Sequence, residues 1–160
     1  MQVKKHIIKY GTANPIKNLV GQWSDLDVEH LGIEHLIENY FEWLKEKTIL
    51  KQVEDCVEIT TPFTDRHNDL IQIYFKKNEN VLTDDGHTLA DLKLSGFLYD
   101  NEKHRQVLFG ILDGLGIVQS DNELIVSVNQ DNFSLKKHNL IQAILAVNSL
   151  SYSLQMSSND

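Results

Sequence analysis

A single cysteine, Cys56, leaves this 160-residue chain no means of forming an internal disulfide. A core must therefore come from burial alone, and a chain of this length can bury roughly two thirds of its unfolded surface as one domain. No apolar run approaches the roughly 20 residues needed to span a bilayer, and MQVKKHIIKYG at the start lacks both an h-region and a small-residue cleavage site. A cytoplasmic location without membrane contact is the expectation. Basic charge is scarce as well: 15 Lys and Arg stand against 23 Asp and Glu, a formal net charge of −8, although the first 24 residues contain lysines and no acid. Nucleic-acid binding depends on cationic side chains that displace condensed counterions, so direct contact with DNA or RNA is not expected. A basic protein partner, such as a nucleic-acid enzyme, suits such a surface better.

Complete reaction motifs are missing too. There is no CxxC pair, no phosphate loop of the G-x-x-x-x-G-K type, no G-x-G-x-x-G and no G-x-S-x-G elbow. Cys56 falls in a strand pattern without a helix N-terminus to acidify it, which argues against a thiol nucleophile.

What is present is a strong pattern of elements. Residues 1–24 carry Gly11, Pro15 and Gly21 without a sustained period and read as an N-terminal extension. From Asp27 to Lys47, Ile33, Leu36, Ile37, Tyr40, Phe41 and Leu44 recur at helical spacing, with Glu34, Glu38, Glu42 and Glu46 stacked at steps of four as an outer acidic ridge. CVEITTPF, DLIQIYFKK and Val81 to Thr83 then read as three strands. Thr88 and Asp91 suggest a capping box for a short helix near Leu89, and a longer helix is expected from about Asn101 to Leu115, closed by Gly116. ELIVSV is a further strand, and Ser134 a helix N-cap whose helix carries Leu140, Ile141, Ile144, Leu145 and Asn148 on its inner stripe. Strands and helices segregate more than they alternate, so the expected fold is α+β: a mostly antiparallel sheet of three to five strands with helices on one face. Residues 25–150 form the expected globular domain, and 151–160 a flexible tail.

Two polar clusters, DRHND and TDDGH, bracket the central hairpin. Pairing Lys77 with Val81 sets Tyr74 opposite Asp84, and a five-residue connection from Phe63 to Asp69 sets Glu58 opposite Tyr74. Glu58, Tyr74 and Asp84 would then share a row on the outer face with Gln72 and Lys76, the two carboxylates about 9.6 Å apart. The same pairing leaves Asp69 and Asp85 on the order of 13 Å apart, so the clusters are not expected to share one ion. Asp65, His67, Asp69 and His87 are the remaining candidate binding groups of the clusters. The DxxxD of Asp65 and Asp69 does not follow the alternating ligand pattern of a calcium loop.

TPFTDRHNDLIQIY, then LTDDGHTLADLKLSG and KKHNLIQAILAVN, resemble a bacterial and phage family known as domain of unknown function eighteen-twenty-eight, over roughly residues 33–150. The resemblance implies a small intracellular protein encoded near prophage and mobile-element genes; it implies no reaction. The strand with its lysine is also similar to restriction-endonuclease-like nucleases, but Gln72, Tyr74 and Lys76 stand where those enzymes place an acid two residues before the lysine. The expected function is a non-enzymatic interaction or regulatory module of a phage or mobile element. It would need no cofactor and would bind a host or defence protein through an acidic surface that includes Glu34, Glu38 and Glu42. The alternative is a phosphodiesterase-like enzyme using Mg²⁺ or another divalent cation, with Glu58 and either Asp84 or Asp85 as carboxylates and Lys76 supporting charge at phosphate.

Overall fold

The structure, a computed structural model, describes residues 28–157, with the side chains of 32–154. The expected extension over 1–24 lies outside the described residues. In chain order the elements are helix α1 (Val28–Lys47), strands β1 (Ile49–Val53), β2 (Cys56–Thr64), β3 (Leu70–Lys76) and β4 (Val81–Thr83), helices α2 (His87–Leu94) and α3 (Glu102–Leu115), strands β5 (Val118–Ser120) and β6 (Glu123–Ser127), and helix α4 (Phe133–Ser157). No described helix is long and apolar enough to cross a membrane.

The chain divides into two compact units between Glu46 and Lys47, at the last residue of α1. Within α1 the apolar stripe expected to face a core is open: Leu36 is 60% and Tyr40 48% exposed, and Tyr40 stacks on Trp43 at 6.2 Å between centroids. Glu34 is buried while Glu38 and Glu42 are exposed, so the expected ridge is not uniformly solvated.

The second unit holds one six-stranded antiparallel sheet in the order β1-β2-β3-β4-β6-β5. The fold is α+β as expected, with six strands where three to five were expected. The two additional strands, β1 and β5, are edge strands joined to their neighbours by two-residue turns, Glu54-Asp55 and Asp121-Asn122. In each turn the first residue takes positive φ, 50° at Glu54 and 53° at Asp121. Alternation along the strands points Ile59, Ile71, Ile73, Leu82, Leu124 and Val126 to one face. There they form one core with Leu89 and Leu92 of α2, Leu108 and Leu112 of α3, and Leu140, Ile144 and Val147 of α4. Helix α3 is closed as expected by Gly116, at φ 67°, and at its start the Asn101 side chain accepts the His104 N–H.

Helix α4 departs from expectation at both ends. It starts at Phe133, which places Ser134 inside the first turn, and it runs through to Ser157 where a tail from 151 was expected. Ser151 is buried, and the Tyr152 hydroxyl donates to the Arg66 carbonyl at 3.2 Å, so the last turns of α4 are tied to the β2–β3 connection.

Candidate functional site

The two polar clusters fold by local chemistry before they meet. In the β2–β3 connection, Asp65 Oδ1 accepts the N–H groups of His67 at 2.8 Å and Asp69 at 3.0 Å, and Asn68 takes positive φ; this is the turn-forming habit of Asx residues. Thr61 shapes the approach, donating to the Ile71 carbonyl at 2.9 Å while accepting the Phe63 N–H at 3.3 Å, beside Pro62, which has no N–H to give. The pairing of β2 with β3 shifts register there, between Thr60 and Thr64. After β4, Asp84 turns inward and is 1% exposed. Its carboxylate accepts three backbone N–H groups: Gly86 at 3.1 Å, Thr88 at 2.9 Å and Leu124 at 2.8 Å. Asp84 thereby serves the first turn of α2, the duty expected of Thr88, and Gly86 at φ 81° makes the bend possible.

Asp91, expected in a capping box, joins the two clusters instead. It accepts from both Arg66 Nε at 2.5 Å and Arg66 Nη2 at 2.8 Å, and His67 Nε2 lies 2.9 Å from its Oδ1. The hydrogen bond from Arg66 is the largest influence holding the Asp91 carboxyl below its ordinary value, with His67 adding to it against the opposing effect of burial. Arg66, whose side chain is only 9% exposed, is raised in turn, first by that bond.

Beside this pair lies a cleft of about 430 Å³ between the β2–β3 connection, the start of α2 and the middle of α4. Asp69, Gln72, His67 and His87 are exposed and form its rim, with Asp65 half-buried among them. Ile71, Ile144, Asp84, Thr88 and Asn148 are buried and form its floor. The clusters expected to lie apart therefore border one cavity. The separation of Asp69 and Asp85 was the wrong measure, because Asp84 faces in and Asp85 faces out. Of the expected site residues, Asp65, His67, Asp69, Gln72, Asp84 and His87 line the cleft. Asp91 and Asn148 also line it and were not expected there; the signal for Asn148 was an amide on an otherwise apolar helical stripe.

The outer-face row is only partly formed. Glu58 does pair with Tyr74, but Lys76, not Lys77, lies opposite Val81, so Thr83 takes the place foreseen for Asp84. The cause is a turn one residue longer, Lys77 to Asn80, with Asn80 at positive φ. Lys76 bonds Glu123 at 3.0 Å, and Thr83 donates to the same carboxylate oxygen at 2.7 Å. These two bonds, Thr83 first, hold Glu123 below its usual range, and Lys76 is raised by Glu123. Gln72 donates to Glu58 at 3.3 Å and Thr60 at 3.2 Å. Burial, then the charges of Glu58 and Asp85, push the Tyr74 phenol up. Among the described residues, no group of three or more His, Cys, Asp and Glu side chains is arranged to hold a metal ion.

A family model described as Domain of unknown function DUF1828 matches residues 61–147. The chain belongs to this family. The DUF1828 match begins where β2 shifts register and ends one residue before Asn148, so it takes in every other residue that lines the cleft. No curated protein and no solved structure matches the chain.

Proposed function

We propose that this DUF1828 protein is a non-enzymatic interaction module that takes a basic segment of a protein partner into the cleft between the β2–β3 connection, α2 and α4. The observation that supports this reading is the imbalance of charge around the cavity. Asp65, Asp69, Asp84 and Asp91 border it, and the arginine beside them, Arg66, is taken up by Asp91. Asp84 is satisfied by three backbone N–H groups, which leaves Asp65 and Asp69 to meet a cation at the rim. Field complementarity of this kind steers encounter and rejects acidic partners. The phosphodiesterase alternative needs Glu58, Asp84 or Asp85, and Lys76 on one surface; Asp84 points to the core side, and Lys76 is occupied by Glu123.

A fluorescent hexa-arginine peptide tests the reading by anisotropy. The protein is expected to bind it, with hexa-glutamate giving no signal. The double substitution Asp65→Asn, Asp69→Asn keeps the side-chain acceptors of the turn and is expected to weaken binding by roughly tenfold or more, about 1.4 kcal/mol. Equal affinity in the double variant would remove the cleft from consideration.

A further inference from the structure

Helix α1 leaves open the face that its sequence builds for packing. Ile33, Leu36, Tyr40 and Trp43 follow one another at steps of three, four and three, the spacing of a coiled-coil seam, with Ile37 and Phe41 beside them on the same side. These six side chains are 40–60% exposed. Tyr40 lies 6.2 Å from Trp43 and 6.1 Å from Phe41 between ring centroids, so the rings already hold one arrangement. With about 200 Å² offered by each large side chain, the open part of the face amounts to roughly 550 Å². That is near the top of the roughly 300–600 Å² patches that monomers show. Two such faces together bury about 1,100 Å², above the ~1,000 Å² that a specific interface has to clear.

The face is also complementary to itself. Its aliphatic members, Ile33, Leu36 and Ile37, occupy the N-terminal half, and its aromatic members, Tyr40, Phe41 and Trp43, the C-terminal half. A two-fold interface requires that when one residue of the first copy meets a second residue of the other, the reverse contact is made as well. Antiparallel pairing centred on Glu38 meets this condition: Leu36 falls opposite Tyr40 and Ile33 opposite Trp43, in both directions. Each ring then packs against an aliphatic side chain in four successive layers. The same pairing opposes the helix dipoles favourably and separates Lys45 and Lys47 from their own counterparts, which a parallel pair would set side by side. We infer that the occupant of this face is a second copy of the chain, the two α1 helices packing antiparallel through Ile33, Leu36, Tyr40 and Trp43 to make a homodimer.

Sedimentation equilibrium on the full chain tests the inference. At about 100 μM the wild type is expected at about twice 18.4 kDa, dissociating as it is diluted towards about 1 μM. Leu36→Glu buries an unpaired charge at the centre of the seam and is expected to weaken the dimer at least roughly tenfold. Leu94→Glu, at a leucine 86% exposed on α2, is expected to leave it unchanged. Circular dichroism of both variants should match the wild type. For the direction of pairing, Leu36→Cys and Tyr40→Cys, each combined with Cys56→Ser, are expected to cross-link with one another faster than either does with itself. A wild-type chain that stays monomeric at about 100 μM overturns the inference, and so does a dimer that Leu36→Glu does not weaken. Faster cross-linking of either cysteine variant with itself overturns the antiparallel arrangement. If Leu36→Glu does not fold, the wild-type mass and the cross-linking preference decide.

Discussion

Asp84 and Asp85 are adjacent in sequence and face opposite environments. Asp84 is sealed under three N–H donors, whereas Asp85 is exposed, at φ 55°, where Asx residues are tolerated. Asp84→Asn puts an NH₂ group against those donors and is expected to lower stability by about 2 kcal/mol, measured by urea unfolding. Asp85→Asn should stay within about 0.5 kcal/mol. Asp91 gives a pH dependence with a definite sign. Its carboxyl is lowered from the ordinary 3.8 in the folded chain and returns to it on unfolding, so the unfolded state takes up the proton first. Stability from the Arg66–Asp91 pair is complete above about pH 5 and is lost as pH falls through the ordinary value towards the folded one. Removing one partner of so poorly exposed a pair should cost about 3 kcal/mol near neutrality. The difference between the wild type and Asp91→Asn should therefore be fully present at about pH 5 and shrink below about pH 4. A difference that persists unchanged to about pH 3 would contradict the assignment.

Among the elements, α4 and the β4–α2 bend hold the cleft in place. Ending the chain at Leu150 removes buried Ser151 and the Tyr152 bond to the Arg66 carbonyl, and is expected to lower the unfolding midpoint by about 1–3 kcal/mol equivalent. A tail without contacts would change nothing. Gly86→Ala combines positive φ with a Cβ 3.2 Å from the Asn122 carbonyl oxygen, and a loss of about 1–2 kcal/mol is expected from thermal unfolding. The elements legible in the sequence were those with a full period: α3 with its Gly116 cap, the central strands β2 and β3, and β6. The edge strands β1 and β5 escaped because alternation shows only where one face is buried, and β1 is exposed at every position. The β3–β4 register slipped by one because Asn80 adopts a left-handed conformation that lengthens the turn, and nothing in KNEN marks which residue will do so. The α4 end was misread because its serines and tyrosine look polar, while Ser151 is in fact packed.

At the scale of the whole molecule, acid excess was visible at once, but where it concentrates was not. Which carboxylates face a common cavity depends on the inward turn of Asp84 and on Asp91 leaving its expected cap to hold Arg66; both are tertiary choices among residues that sequence alone assigns to turns. Binding dominated by rim carboxylates should weaken as salt rises, since exposed charges are screened within about 10 Å at 0.1 M ionic strength. The central claim is that DRHND and TDDGH form one cleft for a basic segment. Its most direct test is an amide-resolved NMR titration of the full chain with hexa-arginine. The account predicts that the backbone amides of residues 65–69 and 84–91 shift together along one binding curve; movement of one segment without the other, or of neither while the peptide binds, would contradict it.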